Sequence, residues 1–206
     1  MDIKTIPKLD LHCHLDGSLT KAMMERHLGK TIPEDALTVS EDCTSLTEYL
    51  EKFDLPVQCL QDEAGLEDGA YTFVEEIAKE HVEYIEVRFA PMLSVHENLS
   101  CAKVIESVRK GMERAKADFQ VQYGIIVCAM RNHSQEQNLS MLKCAREYLG
   151  HGVCALDLAG DESAFPTAEF RDIFVEAERL GMPFTIHSGE TGNLENVREA
   201  YELGAR

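Results

Sequence analysis

The sequence predicts an α/β fold of the (β/α) barrel type, because short apolar segments alternate with longer helical patterns along the chain. Strands separated by helices in this order form parallel sheets. Five segments have the length and residue pattern of strands: Lys8–Leu15, Tyr84–Phe89, Val121–Met130, Val153–Leu158 and Pro183–His187.

The first predicted strand distinguishes between the two parallel architectures. Its side chains alternate between an apolar face, with Leu9, Leu11, Cys13 and Leu15, and a polar face, with Asp10, His12 and His14. An open, doubly wound sheet is covered by helices on both faces and should be apolar on both. A barrel packs one face against helices and turns the other inward, so we favour the barrel, with the doubly wound sheet as the alternative.

The length predicts only part of such a barrel. A complete (β/α)8 barrel has eight strands and about 250 residues, whereas this chain has 206 residues and five predicted strands. We therefore expect residues 1–206 to supply about the first five β/α units of a single domain. A helical insertion is expected over about residues 16–83.

The sequence indicates where two helices begin and end, and it predicts a third helical segment within the insertion. Ser134–Leu149 opens with a capping box formed by Ser134 and Gln137, and another helix opens at Asn193 and stops at Gly204. Within the insertion, the segment 45–53 carries Leu46, Tyr49, Leu50 and Phe53 on one side. That apolar stripe is compatible with the roof of a pocket and equally with ordinary core packing.

Composition excludes several classes of partner. The chain has 20 Lys and Arg residues against 37 Asp and Glu, a net charge of −17 that repels nucleic acid and anionic membrane surfaces. Its seven cysteines are odd in number and form no CxxC motif, which is typical of reduced thiols. No apolar run approaches the roughly 18 residues of a membrane span, and the first residues lack a signal sequence, so we expect a cytoplasmic protein.

Three histidines form a candidate metal site. His12 and His14 point to one face at the end of the first predicted strand, and His187 ends the fifth. The active site of a barrel lies at this end of its strands, and three imidazoles with an open position suit zinc. The alternative is a set of interior histidines with ordinary hydrogen bonds.

Other candidate residues lie beside these strand ends. Glu190 follows His187 by three residues and is either a proton donor or a carboxylate stabilised by a helix N-terminus. Gly160 and Asp16 are compatible with ligand contacts or with simple turns. Glu86 and Arg88 are predicted to form an interior structural pair, with a substrate contact as the alternative.

Four motifs in register closely resemble the adenosine deaminase family: HCHLDGS at 12–18, YIEVR at 84–88, DLAGDE at 157–162 and HSGE at 187–190. The resemblance implies a zinc-dependent (β/α) barrel of purine salvage that converts adenosine or 2′-deoxyadenosine to inosine or 2′-deoxyinosine and ammonia.

The resemblance also assigns roles to individual residues. It implies one zinc held by His12, His14 and His187, and a proton delivered to purine N1 by Glu190. Asp16 corresponds to the contact with the ribose 5′-hydroxyl, and Gly160 to the backbone donor to purine N3. His14 is also expected close to the substrate.

The chain departs from the family pattern at its far end. The family continues into a strand with an I-G-H-G motif and ends with an aspartate pair, none of which occurs in these 206 residues. We therefore expect this polypeptide alone to be inactive and to self-associate through open barrel edges. An inactive zinc-binding fragment is thus one alternative reading.

Related activities are the other alternative. Adenine deaminases of the family typically have Glu, and mononucleotide deaminases Asn, where this chain has Asp16, so the resemblance favours a small-molecule nucleoside substrate. Deamination of adenine or of another aminopurine is the alternative activity within the family. Other barrel hydrolases that begin with H-x-H usually add a bridging lysine, which the third and fourth predicted strands lack.

Overall fold

A computed structural model describes residues 5–205 of the chain. Its parallel sheet has the order β1-β2-β3-β4, so each strand pairs with the next along the chain, as predicted for consecutive β/α units. The strands are β1 (Lys8–His14), β2 (Val82–Phe89), β3 (Gln122–Met130) and β4 (Val153–Ala159).

Helices connect the strands and cover one face of the sheet. They are α1 (Lys21–Leu28), α2 (Leu46–Leu50), α3 (Asp54–Cys59), α4 (Glu63–Lys79), α5 (Cys101–Phe119), α6 (Gln135–Arg146), α7 (Arg171–Arg179) and α8 (Leu194–Leu203). No helix of the described residues is long and apolar enough to span a membrane.

Two predicted helix boundaries are confirmed at their N-termini. The Ser134 side chain accepts the Gln137 N–H, and the Gln137 side chain accepts the Ser134 N–H, so the capping box opens α6 as predicted. The helix ends at Arg146 rather than Leu149, because Glu147 and Tyr148 form a turn and Leu149 makes an isolated parallel bridge with Val153. Asn193 caps α8, and Gly204 ends it with a left-handed φ of 90°.

The fifth predicted strand, Pro183–His187, is wrong as a regular strand. Only Phe184 forms an isolated parallel bridge, with Leu156. Backbone hydrogen bonds from Thr185 to Leu156 and from His187 to Leu158 still hold the segment beside β4. It is extended and in register, but among the described residues it has a sheet neighbour on one side only.

The main core lies between the sheet and the helices. Alternate residues of the strands, such as Ile85, Val87 and Leu156, are fully buried there together with side chains of α4 and α5. The prediction that Leu9 and Leu11 pack in this layer is wrong, since they are 69% and 56% exposed. Because β1 is the edge strand, little of the described chain covers them.

Helical segments lie in the interval between β1 and β2. The predicted helix at 45–53 consists of α2 followed by a short 3-10 helix, Glu51–Phe53. The Ser45 side chain caps it by accepting the Glu48 N–H. The interval therefore places an apolar helical segment near the carboxyl ends of the strands, where the candidate residues are found.

Candidate active site

Three histidines converge at the carboxyl end of the sheet. His12 and His14 end β1, and His187 lies beside the end of β4 because its N–H donates to the Leu158 carbonyl. The Nε2 atom of His187 is 3.0 Å from that of His12 and 3.1 Å from that of His14. Potential ligand atoms of all three lie within 4.8 Å of one another, so a single metal ion can be held between them.

Burial sets the protonation of two of these imidazoles. Burial, assisted by the neighbouring His187 and His12, lowers the pKa of His14 to about 4. Burial and the Arg88 guanidinium also lower the pKa of His12. Neutral imidazole is the form that ligates metals, so His12 and His14 fit a cation at neutral pH.

Asp157 lies beside the Nδ1 atom of the His187 ring. Its fully buried carboxylate is 2.7 Å from His187 Nδ1, a close contact that is not aligned as a hydrogen bond. The Thr185 hydroxyl donates to the carboxylate at 2.9 Å. Burial raises the pKa of Asp157, but His187 and Arg88 outweigh it and lower the pKa overall. Burial alone would lower the pKa of His187, yet Asp157 raises it.

The interior pair predicted between Glu86 and Arg88 is not formed. Arg88 instead donates to Asp157 at 3.3 Å and to the Leu11 carbonyl at 2.9 Å, and it is 3% exposed. Glu86 accepts a hydrogen bond from the Tyr84 hydroxyl. Both side chains face inward as the alternation predicts, but Arg88 reaches the neighbouring elements rather than along its own strand.

A cavity of about 750 Å³ lies over the histidines. Its roof includes the apolar stripe of α2 and the following 3-10 helix, with Leu46, Tyr49, Leu50 and Phe53 in the lining. The Phe53 ring lies edge-on to His14, with the centroids 6.3 Å apart. Of the two readings open for this stripe, the structure supports the pocket roof.

The other candidate residues line the same cavity. Asp16 is 7% exposed, and its Oδ1 has no hydrogen-bond partner. Burial raises the pKa of Asp16 to about 6, against the lowering by backbone N–H donors. Gly160 has a φ of 106°, which disfavours any side chain at this wall. Glu190 is exposed at the cavity edge.

Sequence reasoning gave no role to three buried charged residues near the site: Asp157, Arg131 and Glu162. Strand alternation already places Asp157 opposite Leu156 and Leu158, which was a usable signal. Arg131 and Glu162 follow strands, where a charged residue is ordinarily solvated, so the sequence carried no comparable signal for them.

Comparison with known proteins gives a consistent match. The family model described as adenosine deaminase matches residues 7–205. An adenosine deaminase from Clostridium perfringens is 36% identical, and one from Vibrio atlanticus is 38% identical; each alignment covers 98% of this chain. The chain spans 64% of the length of these curated relatives.

Solved structures share the fold. An amidohydrolase from Burkholderia ambifaria, with bound Zn, superimposes with a TM-score of 0.84 at 21% identity, covering 98% of this chain and 58% of that one. Arabidopsis ADAL complexed with IMP gives a TM-score of 0.81 at 23% identity, covering 98% of this chain and 63% of that one. The predicted α/β fold, part of a (β/α)8 barrel, is confirmed.

Proposed function

The chain belongs to the adenosine deaminase family, and from that premise we propose that it serves the zinc-dependent hydrolytic deamination of adenosine or 2′-deoxyadenosine. The products are inosine or 2′-deoxyinosine and ammonia. One observation carries the proposal: the three histidines, Glu190, Asp16 and Gly160 all line one cavity. We further propose that residues 1–206 belong to one barrel domain, with the helical insertion at about 16–83.

His12, His14 and His187 would hold the metal. Their nitrogens converge without an intervening carboxylate, and the lowered pKa values of His12 and His14 keep those rings neutral. An imidazole-only set with an open position suits a catalytic zinc site. When bound, zinc supplies Lewis-acid activation of water near neutral pH.

Residues of the chain would bind and activate the nucleoside. The Glu190 side chain has no hydrogen bond or ion pair within residues 5–205, so it is available to contact purine N1. In its protonated form it would transfer its proton to N1, which makes C6 more electrophilic. Asp16 offers its unpartnered Oδ1 to the ribose 5′-hydroxyl. The Gly160 N–H would donate to purine N3, and its lack of a side chain lets the base approach the backbone.

The charge of the cavity favours a nucleoside over a mononucleotide. Five carboxylate side chains line it, and among the described lining residues there is no Lys or Arg: the acids are Asp16, Glu51, Asp54, Asp161 and Glu190. A phosphate would meet repulsion without a cation to pair with. Adenine deamination is the second candidate, because the base would occupy the same groups without the ribose.

Binding to the polypeptide itself tests the proposal. We expect zinc to bind at about one equivalent, and inosine to bind the zinc-loaded chain more tightly than hypoxanthine or inosine monophosphate in calorimetric titrations. Asp16→Ala should reduce the preference for inosine over hypoxanthine. Equal affinity for all three ligands, or preference for the phosphate, would refute a nucleoside site, and preference for hypoxanthine would favour the adenine reading.

Turnover is tested on a chain of the relatives' length. A chimaera that joins residues 1–206 to the part of the Clostridium perfringens relative outside the alignment should convert adenosine to inosine, and the change in ultraviolet absorption of the purine measures this conversion. A folded, zinc-loaded chimaera with no activity on adenosine but activity on adenine would overturn the choice of substrate.

A further inference from the structure

The segment that carries His187 and Glu190 lacks regular secondary structure. Residues 188–193 contain neither helix nor strand, and a turn bond from the Gly192 N–H to the Gly189 carbonyl is internal to them. Both glycines have left-handed φ values, 88° and 76°. Because no sheet ladder holds this backbone, its position depends on hydrogen bonds from other parts of the fold.

Glu162, which follows β4, accepts hydrogen bonds on both sides of Glu190. Its Oε2 accepts the Gly189 N–H at 2.9 Å, and its Oε1 accepts the Thr191 N–H at 2.7 Å. The Thr191 hydroxyl donates to the same Oε1 at 3.0 Å. Glu162 is 2% exposed, so its carboxylate is committed to this segment rather than to water.

Arg131, which follows β3, holds the start of the same segment. Its Nη2 donates to the His187 carbonyl at 2.8 Å and to the Thr167 hydroxyl at 3.0 Å, while Nη1 donates to the Phe165 carbonyl at 2.6 Å. Arg131 is 1% exposed. The Arg131 guanidinium therefore binds the His187 carbonyl just before residues 188–193, and the Glu162 carboxylate binds two N–H groups within them.

Asn196 joins the arrangement from the first turn of α8. Its Nδ2 donates to Glu162 at 3.3 Å, and its Oδ1 accepts the Thr167 N–H at 2.9 Å. Burial would raise the pKa of Glu162, but the N–H groups of Thr191 and Gly189 outweigh it and lower the pKa. The carboxylate is thus charged at neutral pH, as an acceptor of four hydrogen bonds requires.

We propose that Glu162 is a positioning residue that directs Glu190 toward the base of the nucleoside, with Arg131 holding the other end of the segment. The Glu190 side chain has no hydrogen bond or ion pair among residues 5–205, so its direction is set by the backbone on either side. Glu162 binds the N–H groups immediately before and after it. The inference rests on the proposed function in one respect only, namely that the group which Glu190 contacts is the base of a nucleoside.

Glu162→Gln tests the arrangement with almost no change in shape. An amide retains one acceptor oxygen and places an NH2 group against N–H donors, so one side of Glu190 loses its hydrogen bond. Glu169→Gln is the matched control, because Glu169 is exposed on the short 3-10 helix Thr167–Phe170 and makes the same change in charge.

Hydrogen–deuterium exchange followed by mass spectrometry measures the backbone directly. In a peptide covering residues 188–193, we expect amide exchange at least about tenfold faster in Glu162→Gln than in wild type. Peptides of β3 should be unchanged, and Glu169→Gln should match wild type throughout. Unchanged exchange at 188–193 in Glu162→Gln would overturn the proposal.

A pair of nucleosides reports where the Glu190 carboxylate points. The N1–H group of inosine can donate a hydrogen bond to the Glu190 carboxylate, whereas 1-methylinosine carries a methyl group at N1. The zinc-loaded wild type should prefer inosine by about tenfold or more, and Glu162→Gln should lose most of this preference while retaining zinc. A role confined to stability would leave the preference intact, and that result would refute positioning.

Two further outcomes are decided by the same design. If wild type itself does not discriminate between the nucleosides, the proposed contact of Glu190 fails, and the exchange result alone decides whether Glu162 holds the segment. If Glu162→Gln does not fold, Thr191→Val replaces it, since this variant removes only the hydroxyl donor to Oε1. It should give smaller changes in the same direction, and no change in either measurement would overturn the proposal.

Discussion

Replacing Arg88 by Met should destabilise the fold through the carboxylate that it leaves behind. Arg88 and Asp157 are 3% and 0% exposed, and their side chains are 3.3 Å apart. Methionine retains much of the apolar volume but removes the cation. Asp157 then remains buried with the Thr185 hydroxyl at 2.9 Å and His187 at 2.7 Å.

The structure sets the size of the effect. Breaking a buried pair by removing one partner typically costs about 3–5 kcal/mol. The lower end applies because Asp157 retains two neighbours, although the Leu11 carbonyl also loses the donor at 2.9 Å. We expect a loss of about 3 kcal/mol from a total unfolding free energy of about 5–15 kcal/mol.

Urea unfolding monitored by circular dichroism measures this loss, at fixed protein concentration and with a chelator present. The double variant Arg88→Met/Asp157→Asn should cost less than the sum of the two single variants, since it also removes the stranded charge. Lys79→Met is the control, because its ion pair with Glu76 is exposed and should contribute little to stability. A cost below about 1 kcal/mol for Arg88→Met, or additive costs, would refute the reasoning.

Four further expectations concern the metal, catalysis, pH and assembly. Elemental analysis should find about one zinc per folded chain, reduced when any of the three site histidines is replaced by Ala; zinc retained by cysteines would contradict this. In a chain completed to the relatives' length, Glu190→Gln should retain zinc but lose about 10²–10⁴ in turnover, and near-normal kcat would exclude the proton-donor role. Since hydrogen bonds from the Thr191 and Gly189 N–H groups lower the folded-state pKa of Glu162, its contribution is present above an unfolded pKa of about 4.3 and is lost as pH falls through the folded value; unfolding free energies should show the gap between wild type and Glu162→Gln closing below about pH 4, and a constant gap would argue against it. Expressed as a separate polypeptide, residues 1–206 should self-associate through β1 and residues 183–187, which have a sheet neighbour on one side only among the described residues, and should show no deaminase activity; size-exclusion chromatography that yields an active monomer would refute this.

The positions of the strands could be predicted because their patterning is local. Alternating residues in β1 and β2, and the capping box of Ser134 and Gln137, depend on residues within a few positions of one another. The exposure of Leu9 and the loss of regular pairing in the fifth segment depend instead on which strand lies next to an edge. Such neighbours are set by the topology, which periodicity alone does not contain.

The same distinction holds within the candidate site. Convergence of His12, His14 and His187 was predictable, because parallel strands bring their carboxyl ends to one edge of the sheet. The partner of Arg88 was not predictable in the same way, since its guanidinium reaches Asp157 on β4 and the Leu11 carbonyl on β1. A long side chain has several inward neighbours within reach, and the sequence does not rank them.

The two halves of the site are therefore held by different physical means. His14 pairs with Arg88 of β2, and His12 lies in a short irregularity of β1 between Asp10 and Cys13, where its N–H donates to the Asp10 side chain. Glu190 stands on a segment without such pairing, and hydrogen bonds to buried Glu162 replace it. A substitution that weakens those bonds should displace the proposed proton donor while leaving the proposed β1 ligands in place, so we expect zinc binding and the contact of Glu190 with the base to respond separately to mutation.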